Sequence, residues 1–403
     1  MTNRRLQGAT DSSVKAQGEG AESGLRDRRA GQAGIWLLWG SLAVSAGFHF
    51  WPEAAARLGA TMASGAPSRL EILRFGLLLL ATGVVAWRLV GRLGLELEGA
   101  EGGVARISVG AAVCGLVVVL LGSAGWLRAP IFEASVLVAL AFVARFPPIA
   151  PRERFPGESV LPLAGRIAAA VAAALTVALV AHDLYALRYQ PPGAAFYDDV
   201  SYHLPAAATW LRYADLRMLR VEVGDKSTTF YPVLGELMSW IAMAVPGGND
   251  FFARWSQLPA GLGLLMAVWA LTRRAGGTAG SAAFAVTLAL SIPRFLPDGA
   301  FSAGNDVWPA FWVCAALLFL LRWVEGPRLG DALLLGTAIG GLIGTKYLNL
   351  LWLPALLAAA LAAGAVRAVL RLAWRNRLRL GLVLGAAALA TGGFVYLRNL
   401  STV

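Results

Sequence analysis

The sequence predicts an all-α protein that crosses a membrane many times, and two observations carry this prediction. Of its 403 residues, 57% are hydrophobic and only 15% are charged, whereas about 25% of the residues of a soluble domain are charged. The apolar residues also come in long runs, and a spanning helix needs about 20 mostly apolar residues. The composition therefore excludes a disordered chain and argues against a soluble enzyme.

Eleven apolar runs are candidate spanning helices, so we expect a polytopic bundle of about 11–12 helices. Glycines recur at small-residue spacings within them, which is typical of close helix packing in membranes. The candidate spans are 34–51, 70–90, 104–126, 131–146, 160–187, 251–272, 280–297, 307–323, 330–345, 347–366 and 380–397.

A proline-rich segment divides the chain. Residues 147–152 cannot be helical throughout, because they contain three prolines. The predicted parts are a disordered cytoplasmic tail, an N-terminal four-helix transmembrane unit, a cytoplasmic linker and a transmembrane core. Their bounds are 1–33, 34–146, 147–159 and 160–403.

The net charge of +11 comes from basic residues that lie mostly in short loops. We interpret them as topology signals and not as a nucleic-acid footprint, so no nucleic-acid partner is expected. Cys114 and Cys314 each fall within an apolar run, which argues against a disulfide.

The run Phe230–Val245 is short and contains a glutamate, so it either spans or enters the outer leaflet and returns. If it does not cross and the N-terminus is cytoplasmic, 22 of the 35 basic residues lie inside and 13 outside. If it does cross, the basic cluster of 367–379 moves outside, against the positive-inside rule. We therefore favour the non-crossing topology, in which 188–229 is an extracytoplasmic loop.

That loop contains adjacent carboxylates, Asp198 and Asp199, directly before a predicted amphipathic helix over 205–216. Trp210 and Tyr213 would anchor this helix at the membrane interface. An acidic pair at the membrane surface suits a general base or a metal ligand. The alternative is a solvated pair that caps the helix.

Other polar residues fall on the same predicted face. Asp306 either caps the apolar helix that follows it or faces the same outer cavity as the acidic pair. Lys346 interrupts an apolar stretch, and either extends its ammonium group to the interface or contacts a phosphate. Lys226 has the same two interpretations. His203 either orients a substrate or merely starts a helix, and Arg398 either binds phosphate or anchors the last helix.

The order of these motifs resembles the GT-C integral-membrane glycosyltransferases that use polyprenyl-phosphate sugars. The similarity covers about residues 160–400 and is to the bacterial branch related to protein mannosyltransferases and aminoarabinose transferases. The motifs are, in order, Asp198–Pro205, Tyr231-Pro232, Arg273-Arg274, Asn305-Asp306, Thr345–Tyr347 and Tyr396–Asn399. Four additional predicted helices precede this region, and the chain ends at Val403, where relatives continue; this leaves acceptor recognition open.

The resemblance implies a glycosyltransferase of the plasma (inner) membrane, hexosyl or pentosyl, that inverts the anomeric carbon on the extracytoplasmic face. Its donor is a polyprenyl-phosphate-linked sugar, and its acceptor is a cell-envelope glycan, lipid or protein. Asp198 or Asp199 would be the base, with Asp306 as a second acid. The implied substrate-binding residues are Lys346, Lys226, His203, Tyr231 and Arg398. The resemblance leaves open whether a divalent metal is bound; if one is, Asp199 and Asp306 would be its ligands.

Two other classes fit an apolar chain with polar residues. A lipid or solute transporter, or a flippase, also uses intramembrane ionisable residues. It would show inverted repeats and interrupted midplane helices, and the sequence contains no internal repeat. A membrane scaffold without catalysis is the third class.

Overall fold

The computed structural model describes residues 68–145, except 96 and 98, together with 198–219, 226–248, 250–290, 292 and 303–402. These residues all belong to one compact unit, Pro67–Val403. They form thirteen α-helices, and no strand occurs among them, which confirms the predicted all-α class. The predicted tail 1–33, the spans 34–51 and 160–187, the linker 147–159 and the first part of the outer loop lie outside the described residues.

We number the helices in chain order. They are α1 (Arg69–Gly91), α2 (Gly99–Ser123), α3 (Ala129–Ala144), α4 (Leu204–Tyr213), α5 (Leu234–Ala244), α6 (Leu258–Arg274), α7 (Ala279–Leu290), α8 (Val307–Glu325), α9 (Leu329–Thr345), α10 (Trp352–Ala362), α11 (Ala365–Leu370), α12 (Trp374–Gly392) and α13 (Phe394–Thr402). Short 3₁₀ segments lie at Lys226–Phe230, Asp250–Trp255 and Tyr347–Leu351, and a π-helical turn at Asp199–His203.

Three of the described helices, α1, α2 and α8, are each long and apolar enough to cross a membrane. The helices α12 and α13 form a fourth candidate if they are counted as one span, although they meet at a 70° bend. Several shorter apolar helices surround them, among them α3, α5, α7 and α9. The lengths and composition are those of a helical membrane bundle.

The helix α9 packs against both α8 and α12. Its glycines permit this: a Cβ on Gly340 would lie 2.4 Å from the carbonyl oxygen of Ala388, and one on Gly336 would lie 2.2 Å from that of Leu384. On the facing helix, a Cβ on Gly392 would lie 2.0 Å from the carbonyl oxygen of Gly340. Lipid is as apolar as the helices, so the hydrophobic effect does not drive them together in a bilayer. Van der Waals contact between the backbones supplies the attraction instead.

A charged cluster ties one end of the bundle together. Glu101 of α2 accepts hydrogen bonds from Arg274 of α6 at 2.9 Å and from Arg322 of α8 at 2.5 Å. Arg322 also donates to Asp331, a buried acid in the first turn of α9, at 3.0 Å, and Arg274 pairs with Glu325. These helix ends are the ones that the predicted topology places on the cytoplasmic side.

The opposite end receives α5, whose eleven residues are all buried. At 1.5 Å per residue the helix is about 16 Å long, well short of the roughly 30 Å hydrocarbon core. Ser239 of α5 donates to Ser256 at 3.2 Å, and the next side chain, Gln257, accepts from the backbone N–H of Val307 at 2.8 Å. The residues that follow α5 thus lie beside the N-terminus of α8.

Three predicted spans are interrupted or bent in the structure. The run 251–272 begins with the 3₁₀ segment Asp250–Trp255, and α6 starts at Leu258. The run 347–366 begins as a 3₁₀ segment that continues into α10. Gly364 then separates α10 from α11, because it adopts a φ of 81° that an ordinary helix does not accept. The run 380–397 begins earlier, at Trp374, and bends after Gly392, where the backbone of α12 touches α9.

The predicted interfacial helix forms as α4, but the role expected of Trp210 was wrong. This side chain is 1% exposed and its indole N–H donates to the carbonyl of Arg217 at 2.9 Å. It is therefore a core residue of α4, which packs against α5. Tyr213 is exposed, and the guanidinium of Arg217 lies 3.7 Å from its ring centroid.

The topology makes a labelling prediction. In a variant without Cys114 and Cys314, we expect a cysteine at position 215 to react with a membrane-impermeant maleimide added outside. A cysteine at position 375 should react only after permeabilisation, because the 367–379 cluster is expected to stay in the cytoplasm. Labelling of 375 but not 215 in intact cells would show that the predicted orientation is wrong.

The glycine contact between α9 and α12 predicts a loss of stability on adding one methyl group. Gly340→Ala should lower the midpoint of thermal unfolding in detergent, because its Cβ would overlap the backbone of α12. Gly385→Ala is the matched control, since nothing lies within 4 Å of its added Cβ. We expect this control to be neutral or slightly stabilising, as alanine favours a helix over glycine by about 1 kcal/mol. Equal effects of the two substitutions would refute the packing account.

Candidate active site

The polar end of the bundle is assembled from six separate chain segments. The π-helical turn Asp199–His203 leads directly into α4. Beside it lie the segment Lys226–Tyr231, the first turn of α5, the residues that precede α8, the end of α9 with Lys346 and Tyr347, and α13. These segments carry nearly all the residues that the sequence singled out.

Three tyrosine rings join three of those segments. The ring of Tyr231 lies 5.9 Å from that of Tyr202 and 4.9 Å from that of Tyr347, measured between centroids. Tyr202 follows the acidic pair in the chain, and Tyr347 follows Lys346. The predicted acidic motif, the Tyr-Pro motif and the Thr-Lys-Tyr motif are thus brought side by side.

The second acid and the lysine meet directly. The ammonium group of Lys346 forms an ion pair with a carboxylate oxygen of Asp306. Asp306 occupies the N-cap position of α8, yet its side chain caps no backbone N–H and is 79% exposed. The N-terminus of α8 is capped by the Gln257 side chain instead. The exposed carboxylate is therefore free of the helix-capping role considered from sequence.

A buried carboxylate lies beneath this pair. Glu236 Oε1 is 2.6 Å from His203 Nδ1, and the two side chains are 3% and 2% exposed. The amide nitrogen of Asn305 donates to the same oxygen at 3.3 Å and to the carbonyl of Thr345 at 3.3 Å. His203 is thus buried inside the protein and held there by Glu236.

The last motif docks onto the turn that carries Lys226. Asn399 donates from its amide to the carbonyl of Phe230 at 2.8 Å, and Arg398 donates to that of Thr229 at 3.4 Å. Tyr396 donates its hydroxyl to the carbonyl of Ile343, near the end of α9, at 3.0 Å. Arg398 is also within range of the charge of Glu236. Lys226 itself is exposed at the start of its turn.

The pKa of the Tyr202 phenol is affected by three nearby carboxylates. Burial raises the pKa of the Tyr202 phenol above its ordinary range, and the negative charges of Asp198, Glu236 and Asp306 raise it further. Because its pKa is raised, the phenol stays protonated and can donate a hydrogen bond. The three carboxylates belong to different segments of the chain. Asp198 is exposed, and the hydroxyl of Ser201 donates to its backbone carbonyl at 3.4 Å.

The described residues present no group of three His, Cys, Asp or Glu side chains that could hold a metal ion. Asp306, one of the two metal ligands considered from sequence, is engaged with Lys346. The backbone of Asp199 lies in the π-helical turn, and its side chain is outside the described part of the chain.

Two polar residues of this region had no role in the sequence-based site. Glu236 was noted only as a charge that complicates a spanning assignment, and Asn305 only as a neighbour of Asp306. The signal for Glu236 was available, since an ionisable residue in an apolar helix points to function. Its partner His203, 33 residues away in the chain, could not be identified from spacing.

Residues 231–391 match the family model described as dolichyl-phosphate-mannose-protein mannosyltransferase. The matched region contains Tyr231, Glu236, Asp306 and Lys346, and it stops short of Arg398. The comparisons with curated proteins and with solved structures gave no match. The family match covers less than half of the chain. Together with the apolar helices, it supports a membrane glycosyltransferase of the GT-C type that uses a polyprenyl-phosphate-linked sugar.

Proposed function

We propose that this protein transfers a sugar, most simply a hexose such as mannose, from a polyprenyl phosphate to an acceptor hydroxyl of the cell envelope. The reaction takes place at the extracytoplasmic face of the plasma (inner) membrane and inverts the configuration at the anomeric carbon. The observation that carries the proposal is the meeting of Asp306 and Lys346 beside Tyr231 and Tyr347. It places an acid and a cation together at the end of the bundle opposite the charged cluster.

Lys346 is assigned to the phosphate of the donor. It is 25% exposed and lies at the end of α9, followed by the apolar residues Leu348, Leu350 and Leu351, which are exposed at the outer end of the bundle. A polyprenyl chain has the same apolar character as those side chains. This exposed apolar surface beside the lysine supports the assignment, and a cation there would stabilise the negative charge of the departing phosphate.

The carboxylates are assigned to the acceptor. Asp198 or Asp199 takes the proton of the acceptor hydroxyl as the oxygen bonds to the anomeric carbon. The bond between that carbon and the phosphate oxygen breaks, and the lipid phosphate leaves with the electron pair. Attack opposite to the leaving group inverts the configuration. Asp306 orients the acceptor once the donor phosphate competes for Lys346.

Arg398 and Lys226 are assigned secondary contacts with the donor. The turn that begins at Lys226 and precedes Tyr231 is held to α13 by Arg398 and Asn399. Tyr231 lies between the other two rings and offers an aromatic face to the sugar.

The rival assignment is a flippase or transporter, and one assay separates the classes. Purified protein is incubated with a labelled polyprenyl-phosphate mannose and a cell-envelope fraction as acceptor, and with a polyprenyl-phosphate pentose in parallel. A glycosyltransferase releases polyprenyl phosphate and moves the label to the acceptor. A flippase moves the intact donor across a vesicle without cleaving it, and that result would reject the proposed chemistry.

The acidic pair predicts a loss of turnover without a loss of protein. We expect Asp198→Asn or Asp199→Asn to lower transfer by about 100-fold or more, because one of these carboxylates is the proposed base. Asp250→Asn, an acid in the 3₁₀ segment after α5, is the control and should leave the rate unchanged. Parental rates in both variants of the pair would remove the proposed mechanism.

Lys346 predicts an effect on the donor. Lys346→Met should weaken donor binding and slow transfer, whereas Lys346→Arg should recover only part of the function, because the charge is kept while its geometry changes. Donor affinity is measured in detergent by titration with the labelled lipid. Since Lys346→Met also frees Asp306, the thermal midpoint is measured alongside to confirm folding. Equal donor affinity in all three proteins would mean that the lysine only reaches for the interface.

A further inference from the structure

Glu236 contacts the segments that carry both groups of acids. Through Oε1 it bonds to His203, the last residue of the π-helical turn that begins at Asp199. Through the same oxygen it accepts from Asn305, the residue directly before Asp306. A single carboxylate therefore links the turn of the acidic pair to the turn of the second acid, across chain separations of 33 and 69 residues.

The contact leaves little freedom on either side. The first turn of α5 lies so close to Asn305 that a Cβ on Gly235 would be 2.4 Å from the Cβ of that residue. Asn305 also donates to the carbonyl of Thr345, which directly precedes Lys346. The network thus extends from the acidic pair, through Glu236, to both members of the Asp306–Lys346 ion pair.

Stability alone gives a poor account of this carboxylate. No donor of the described residues reaches Glu236 Oε2 or Asn305 Oδ1, although both atoms are buried. An unsatisfied buried carboxylate oxygen is costly, and an apolar side chain of similar volume would avoid that cost. A buried, incompletely satisfied polar group calls for an explanation other than packing.

We propose that Glu236 is a positioning residue that holds the acidic pair, through His203, and Asp306, through Asn305, at a fixed separation for the transfer reaction. The inference rests on the proposed function for the identity of that reaction. Glu236 itself touches neither substrate, because its side chain is 3% exposed. Its effect is on the alignment of the acids, and small misalignments of reacting groups reduce rates strongly.

The test replaces the charge while keeping the shape. We expect Glu236→Gln to lower kcat by about 10- to 100-fold, the range that loss of alignment produces, and to leave the KM for a polyprenyl-phosphate mannose within about twofold. Lys346, which is assigned to the donor, is not altered by this substitution. The thermal midpoint is measured in parallel, and kcat is expressed per folded protein.

Asp331→Asn is the matched control. Asp331 is also a buried acid in the first turn of a helix, it is 2% exposed, and it bonds to Arg322 at the opposite end of the bundle. We expect this variant to lose stability while its kcat stays at the parental value. A parental kcat in Glu236→Gln, or an equal loss of kcat in Asp331→Asn, would overturn the positioning role.

A double variant tests whether the two residues act as one unit. If His203 acts only through Glu236, the double variant Glu236→Gln/His203→Gln should be no slower than the slower single variant. Losses that multiply would show independent roles and contradict the inference.

A spectroscopic measurement separates this inference from the proposed reaction. With His49 and His182 replaced, the ring-nitrogen NMR signals of labelled protein report on His203 alone. Glu236→Gln should shift the Nδ1 signal, whereas Asp331→Asn should not, and an unchanged Nδ1 signal refutes the contact whatever the activity. If the parent protein released no polyprenyl phosphate, the proposed function would fall while this signal still decided the contact.

Discussion

The close approach of α9 to α12 is the constraint on which the polar end of this protein depends. In a bilayer there is no hydrophobic gain from pressing two apolar helices together, so contact between backbones must supply the attraction. Gly340 and Gly392 allow it, since a Cβ on either would overlap the facing backbone. The close packing brings Ile343, near the end of α9, to Tyr396 of α13, and with it Lys346 to the turn that α13 holds. Without this contact the lysine and the last motif would belong to different surfaces.

The second organising feature is that the described residues form a charged cluster at each end of the bundle. Arg322 is 10% exposed but meets two carboxylates, so its burial is compensated on both sides. At the other end, Lys346 meets one carboxylate and Glu236 meets a histidine and an amide. The first arrangement is fully paired and suits a structural role. The second includes acceptors without donors, as expected of a region that serves chemistry more than stability.

Much of the fold could be predicted from sequence, because apolar runs identify membrane helices directly. The bounds of α1, α3, α8 and α9 lie within about two residues of the predicted runs. The breaks at Gly364 and Gly392 were not predicted, since a glycine within an apolar run is ambiguous until its neighbours are known. Trp210 shows the same limit: aromatic residues suit both an interface and a core, and only the packing of α4 against α5 decides for the core. In the candidate site, Asp306 and Lys346 were identified singly, but their pairing is a tertiary fact that no spacing contains. Glu236 was considered only for its effect on whether the run 230–245 crosses the membrane, because its partner His203 is 33 residues away in the chain.

The charged cluster around Glu101 has a mechanical consequence. Helices α2, α6, α8 and α9 are bonded to one another there through groups that would lose their compensation if they separated. The helices are therefore clamped at that end, and a lipid that needs room among them must find it at the other. There the exposed Asp306–Lys346 ion pair and the ring contact of Tyr347 can exchange for contacts with an arriving molecule, while the buried bonds of Glu236 stay in place. We expect the arriving lipid to displace the residues around Lys346 and Tyr347 most and those around Arg322 least.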